Sequence, residues 1–134
     1  MHPGFSWLSR FAIVLLFAAM LVACNPTLAP VLNVDERMSA PAAGQQSVER
    51  THKAIRDALA ARKWKVESDE PGRIVASTEA GGHRARVRIT YGTDNYKIEH
   101  MDSSPGLGYD GKNIHRRYNH WVKQLSRSID QAAR

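Results

Sequence analysis

Hydrophobic and polar positions follow three patterns along this chain. Residues 11–23 form an unbroken run of 13 apolar residues, residues 25–46 show no period, and later residues alternate between two periods. Apolar positions at spacings of three and four predict one helix over residues 47–62, with Ser47 as its N-cap. The same spacing predicts a second helix that ends near Gln131 and begins close to Asp110, which we expect to cap it.

Between these helices the period changes to two, which predicts four strands separated by short turns. The apolar series are Trp64 and Val66; Ile74 and Ala76; Ala85, Val87, Ile89 and Tyr91; and Tyr96, Ile98 and His100. A four-residue loop sets Tyr91 opposite Tyr96, which brings Arg88 opposite Glu99. The predicted fold class is α+β: a two-layer sandwich in which a four-stranded antiparallel meander carries both helices on one face, in the order α-β-β-β-β-α.

The apolar run at the start predicts a lipoprotein signal peptide over residues 1–23. Its length suits a signal-peptide core of roughly 7–15 residues and falls short of the about 20 that a membrane-spanning helix needs. The run ends in a sequence similar to the lipobox of bacterial lipoproteins, Leu21-Val22-Ala23-Cys24. We therefore predict that Cys24, the only cysteine, is acylated and anchors the mature chain. An ordinary secretory signal or a short membrane anchor is the alternative.

Residues 24–46 are predicted to be the lipidated cysteine and a flexible tether, and residues 47–134 the globular domain. Three prolines and a glycine break any helix in the tether. As a coil its 22 residues after the cysteine would reach roughly 25 Å, which would lift the domain clear of the lipid head groups. The apolar segment 30–34 is the exception, and it either packs on its own domain, is disordered, or binds a partner.

One run of the sequence is similar to a known group of proteins. Residues 114–122, IHRRYNHWV, follow a Tyr91…Tyr96-Lys97-Ile98 hairpin and a Ser104…Leu107…Tyr109 loop. This pattern resembles a family of small uncharacterised proteobacterial lipoproteins over roughly residues 47–129, together with the leader type. The resemblance supports the domain boundaries and implies no activity. In lipoproteins of the enteric type, Asn25 rather than Asp after the cysteine implies the outer membrane, facing the periplasm; the inner membrane is the alternative.

Charge narrows the range of partners. The chain has 19 basic and 13 acidic side chains, a formal net charge of +6. A basic domain in the cell envelope meets lipid phosphates, anionic polymers and acidic protein faces, but does not normally meet chromosomal DNA. We therefore expect a membrane contact through the anchor, an anionic envelope polymer or an envelope protein as partner, and no nucleic acid.

The outward positions of the predicted sheet are the leading candidate site for binding. The candidate residues share a basic side chain on that face: Arg73, Arg84, Arg86, Arg88 and Lys97. Arginine forks match the geometry of carboxylates and phosphates. The alternative is a solvated face whose charges keep the domain soluble, partly neutralised by Glu67 and Glu99.

A second candidate is a small pocket with a polar rim under the loop 102–110. His115 and Asn119 are one helical turn apart, and Tyr109 belongs to that loop. The alternative is that Asn119 simply hydrogen-bonds the loop.

Catalytic and metal chemistry find little support in the sequence. His115 and His120 are five residues apart, whereas two histidines that bind a metal from one helix face are four residues apart. We therefore expect no metal and no cofactor. Ser103, Ser104, Asp102 and His100 are close in sequence, but no nucleophile elbow accompanies them. The predicted function is a non-catalytic, lipid-anchored binding module; an accessory subunit of an envelope assembly is the alternative, and a hydrolase with its site near 102–109 is a remote one.

Overall fold

The computed structural model describes residues 27–38 and 47–134. Within them lie two α-helices, α1 (Val48–Ala61) and α2 (Arg116–Ala132), and a 3-10 turn over Pro105–Leu107. The strands are β1 (Leu28–Pro30), β2 (Val34–Arg37), β3 (Lys65–Glu70), β4 (Arg73–Ala80), β5 (His83–Tyr91), β6 (Asn95–Ser103) and β7 (Asn113–His115). The predicted leader with Cys24, and residues 39–46 of the predicted tether, lie outside the described residues. None of the helices in the described ranges is long and apolar enough to span a membrane.

The described strands form two antiparallel sheets, and the α+β class is confirmed. The larger sheet has five strands in the order β2-β6-β5-β4-β3, and β1 pairs with β7 in a separate two-stranded sheet. The prediction of four strands was therefore wrong, because the strands β1, β2 and β7 were missed. Each is only three or four residues long. Strands so short carry too few alternating positions to give a period of two.

The hairpin between β5 and β6 has the predicted register. Tyr91 lies opposite Tyr96, Ile89 opposite Ile98, and Arg88 opposite Glu99. Matching apolar residues on the inner face and opposite charges on the outer face both favour this alignment, since a slip of one residue would exchange the faces.

The core lies between the two helices and one face of the large sheet. Side chains from α1, α2 and the inner positions of the strands form a single buried cluster, which includes Ile55, Leu59, Ile74, Val87, Ile89, Ile98, Tyr118, Val122, Leu125 and Ile129. Tyr96 extends from the sheet into this layer, and its hydroxyl donates to Asp130 Oδ1 at 3.2 Å and lies 2.8 Å from Ser126 Oγ. Both helices therefore cover the same face, and the described residues leave the other face of the sheet without a helix.

The folded unit begins before residue 47. Val34 is buried opposite Ile98, and β2 covers the edge of β6. Asn119 of α2 fixes the segment that precedes it: its Oδ1 accepts from Leu32 N, and its Nδ2 donates to Pro30 O, both at 2.9 Å. Residues 27–38 thus belong to the domain rather than to a flexible tether. Prolines do not prevent this, because short edge strands tolerate a residue without an N–H.

The helix α2 begins later than predicted. Its N-cap is His115, whose Nδ1 accepts from Arg117 N at 3.1 Å. Asp110, the predicted cap, closes a turn instead: its Oδ1 accepts from Lys112 N at 2.9 Å and from Asn113 N at 2.7 Å. These backbone donors, that of Asn113 first, lower the pKa of the Asp110 carboxyl. Ile114, assigned to the helix by its spacing, instead lies buried in β7.

Candidate functional site

The face of the large sheet that carries no described helix holds all five basic candidates; we call it the open sheet face. Arg84, Arg86 and Arg88 project from β5, Lys97 from β6 and Arg73 from β4. Every one of them is bonded to a carboxylate of the same chain, so the face is a network of charge pairs.

Glu67 joins two of the arginines. Its Oε1 accepts from Arg84 Nη2 at 2.7 Å, and its Oε2 accepts from Arg86 Nε at 2.8 Å. Glu67 lies at a β-bulge, where the pairing shifts between Val66 and Ser68. Hydrogen bonding by Arg86 above all, and also by Arg84, lowers the pKa of the Glu67 carboxyl. The bulge therefore presents one carboxylate to two neighbouring cations of β5.

Arg86 is the centre of this network. Its Nη1 donates to Asp102 Oδ2 at 2.6 Å while its Nε holds Glu67. The two carboxylates, Glu67 first, raise the pKa of the Arg86 guanidinium. A guanidinium has five donors in a planar fork, which lets one side chain serve two carboxylates on different strands. Arg86 thus links β3, β5 and β6 across the open sheet face.

The remaining candidates form simpler pairs. Arg88 Nη2 lies 3.0 Å from Glu99 Oε2, Lys97 Nζ lies 3.1 Å from Asp35 Oδ2, and Arg73 Nη2 lies 2.7 Å from Glu70 Oε2. Asp35 belongs to β2, a strand that the sequence pattern did not predict. The open sheet face is therefore mixed in charge, which matches the alternative of a largely neutralised face more closely than a free cationic surface.

The three residues expected at a pocket rim have separate roles. His115 caps α2, and Asn119 holds the segment 30–32 rather than the loop 102–110. Tyr109 is 41% exposed, and its ring contacts the ring of His100 at a tilt of 45°, with ring centroids 4.0 Å apart. Each side chain is engaged with a different part of the fold, so the three do not form one polar rim.

A serine and a histidine do meet at the end of β6. His100 Nε2 lies 3.0 Å from Ser103 Oγ. His100 Nδ1 is buried without a hydrogen-bond partner among the described residues, and burial lowers the pKa of the His100 imidazole. The two neighbouring carboxylates, Glu99 and Asp102, bond Arg88 and Arg86 on the open sheet face. The pair therefore lacks the carboxylate that orients the histidine in a Ser-His-Asp site.

A groove at the start of α1 was not predicted. It has a volume of about 410 Å³, and the residues lining it are Val48, Glu49, His52, Asp69, Glu70, Pro71 and Tyr91. His52 Nε2 lies 2.9 Å from Asp69 Oδ2, and its ring stacks on Tyr91. No serine, threonine or cysteine is among these lining residues, so the histidine–carboxylate pair has no such nucleophile to activate. His52 and Asp69 meet only through tertiary packing, which no local pattern signals.

The described residues contain no group of three or more histidine, cysteine, aspartate or glutamate side chains able to hold a metal ion. Comparison of the chain with family models, with curated proteins and with solved structures finds no match. The resemblance to proteobacterial lipoproteins consequently stays a prediction from the sequence.

Proposed function

We propose that this protein is a non-catalytic, lipid-anchored module of a bacterial cell envelope, and that its open sheet face binds an envelope protein. Acylated Cys24 would hold it at the outer membrane, on the periplasmic side. The leader supports the anchor, because its 13-residue apolar core ends in Leu-Val-Ala-Cys. The sequence contains no second cysteine with which the Cys24 thiol could form a disulfide.

The charge network of the open sheet face is the observation that carries the binding role. Acidic and basic side chains are held there in fixed pairs that link β5 to β3 and to β6, with Arg86 at the centre. Paired side chains lose less conformational freedom on binding than solvated ones, so a partner meets a preorganised surface. Patterned charge of this kind contributes specificity and register more than affinity.

The same pairing favours a protein over an anionic polymer. A polyanion would have to displace Glu67, Asp102 and Glu99 from the arginines that they neutralise. A protein face with alternating charges can instead add contacts to both members of each pair. In this proposal the lipid-anchored chain itself is an accessory subunit of an envelope assembly, and the bound protein is another subunit.

The anchor is tested by the variant Cys24→Ser. We expect the wild-type protein to fractionate with membranes at a mass that includes acyl chains, and the variant to remain unprocessed. A wild-type mature protein with an unmodified thiol, released from cells, would contradict the anchor.

The binding face is tested by exchanging the charges of one pair. Arg88→Glu combined with Glu99→Arg keeps the cross-strand pair and the net charge but reverses the surface pattern. The matched control is Lys53→Asp with Asp57→Lys, an exposed pair on α1. Lipidated protein of each type is used as bait in detergent-solubilised envelopes.

We expect a specific envelope protein to be retained by the wild-type and the α1 variant, and lost with the β5–β6 variant. Equal retention of the envelope protein by all three baits would exclude the open sheet face as its binding site. If the retained ligand survives protease treatment, the partner is an anionic polymer and not a protein, since protease removes only protein ligands.

A further inference from the structure

The helix α2 carries a group of basic side chains that no acidic side chain of the described residues pairs with. α2 carries Arg116, Arg117, Lys123 and Arg127 and one acid, Asp130. Among the described residues none of the four basic side chains has an acidic partner within 4.0 Å, whereas each of the five basic candidates on the open sheet face has one. Residues 1–26 and 39–46 contain no aspartate or glutamate that would supply one.

Three of these cations and a histidine form a single line along the helix. Arg116, His120, Lys123 and Arg127 follow each other at spacings of four, three and four residues; we call them the α2 stripe. At 100° per residue they fall within about 60° of the helix circumference, on the side away from the buried Tyr118, Val122, Leu125 and Ile129. All four are exposed. The acid Asp130 accepts from Tyr96 beside the stripe.

The start of the folded unit is fastened to the same end of α2. Arg116 N donates to Thr27 O at 2.9 Å, and Val31 N donates to Lys112 O at 2.9 Å. Leu28 packs against Gly108, beside the exposed Tyr109. The first described residue therefore lies at the N-terminus of the stripe.

Two residues, Asn25 and Pro26, separate Cys24 from Thr27, so three Cα–Cα steps join them. Consecutive Cα atoms are 3.8 Å apart, so an acylated Cys24 lies at most about 11 Å from Thr27. This span is about one Debye length at 0.1 M salt, the range over which surface charges attract one another. The anchor thus keeps the N-terminal end of the stripe within the field of the bilayer surface.

We infer that α2 lies along the bilayer that holds the anchor, with the α2 stripe against the phosphates of anionic phospholipids. The inference rests on the proposed acylation of Cys24 and deepens it, since it fixes the orientation of the domain. Tyr109, at the same end, is placed where an amphipathic ring suits the head-group layer. The open sheet face then belongs to a different side of the molecule from the lipid contact and stays available to a protein.

The orientation is measured on the lipidated full chain in vesicles. A fluorophore is attached to His120→Cys on the stripe or, as control, to Met101→Cys, an exposed residue of β6 in the large sheet, and is quenched by a lipid labelled at its head group. Vesicles contain phosphatidylcholine with or without phosphatidylglycerol. Quenching of the label at position 120 is then compared in two triple variants that each lose three positive charges. The stripe background carries Arg116→Gln, Lys123→Gln and Arg127→Gln. The control background carries Arg37→Gln, Lys53→Gln and Lys65→Gln.

We expect the label at 120 to be quenched more than the label at 101 in vesicles with phosphatidylglycerol. That difference should be lost at high salt, without the anionic lipid, and in the stripe background, and kept in the control background. Equal quenching at both positions, or quenching unaffected by the stripe substitutions, would overturn the orientation while leaving acylation intact. A second labelled thiol at position 24 would overturn the acylation, and the orientation with it.

Discussion

Arg86 of β5 lies directly opposite Asp102 of β6, although regular pairing from Val87 and His100 would place Met101 there. Met101 is the extra residue of a β-bulge, and it is 38% exposed. The bulge turns the carboxylate of Asp102 to the open sheet face, where it completes the pairing of Arg86. One inserted residue therefore decides whether this cation has two carboxylate partners or one.

The variant Glu67→Gln tests the network. Removing the carboxylate charge weakens the bonds to Arg84 and Arg86, so we predict a lower free energy of unfolding at pH 7, measured by urea denaturation. The Glu67 pKa is lowered in the folded state, so its stabilisation is complete above the ordinary value of 4.5 and is lost as the pH falls through the folded-state pKa. The difference between wild type and variant should shrink over that acidic range. A difference independent of pH would contradict this account.

Two tyrosine variants should behave oppositely. The Tyr96 hydroxyl bonds Ser126 and Asp130, so Tyr96→Phe should lower the free energy of unfolding by about 1–2 kcal/mol. The Tyr118 hydroxyl is buried without a hydrogen-bond partner among the described residues, so Tyr118→Phe should be neutral or stabilising. Thermal and urea unfolding of both variants compares them directly, and equal losses would contradict the assigned hydrogen bonds.

The variant Asn119→Ala should release the start of the folded unit. It removes the bonds to Leu32 N and Pro30 O, at a cost of about 1–3 kcal/mol. We predict faster hydrogen exchange at the amide of Leu32, with protection of β4 and β5 unchanged. His120→Ala, one residue further on the exposed side of α2, is the control and should leave exchange at Leu32 unaltered.

His100 predicts a loss of stability in mild acid. Burial lowers its folded-state pKa below 6.5, so the unfolded chain binds the proton more readily. The contribution of neutral His100 to the free energy of unfolding is therefore complete above pH 6.5 and is lost as the pH falls through the folded-state pKa. The nearby Asp102 carboxylate raises the His100 pKa, but the effect of burial is larger. In His100→Gln the free energy of unfolding should vary less between pH 7.5 and 5.5. Parallel curves for wild type and variant would exclude His100 as the source.

The sequence was most informative where many residues repeat one pattern. The alternation in β5 and β6 predicted their register, and apolar spacing predicted both helices, because burial on one face constrains each of these positions. His115 rather than Asp110 caps α2, because both side chains can accept from a backbone N–H and the short strand β7 lies between them.

The candidate site was predicted in part. The sequence placed Arg84, Arg86 and Arg88 together on one face, which follows from alternation alone. It did not reveal that Asp35 and Asp102 would neutralise this face, since one belongs to an unpredicted edge strand and the other depends on a bulge. A short segment such as β2 becomes a strand only because a free sheet edge lies beside it in the fold. That edge is distant in sequence, so the residues around the segment do not indicate the pairing.

The position of β2 beside β6 has a practical consequence for recombinant work. A truncated chain that starts at residue 47 would lack β2 and leave the flank of β6 next to Val34, Asp35 and Glu36 uncovered. Bare strand flanks recruit other chains through their free N–H and C=O groups. Such a truncation should self-associate, whereas a chain that starts at Thr27 keeps the flank sealed.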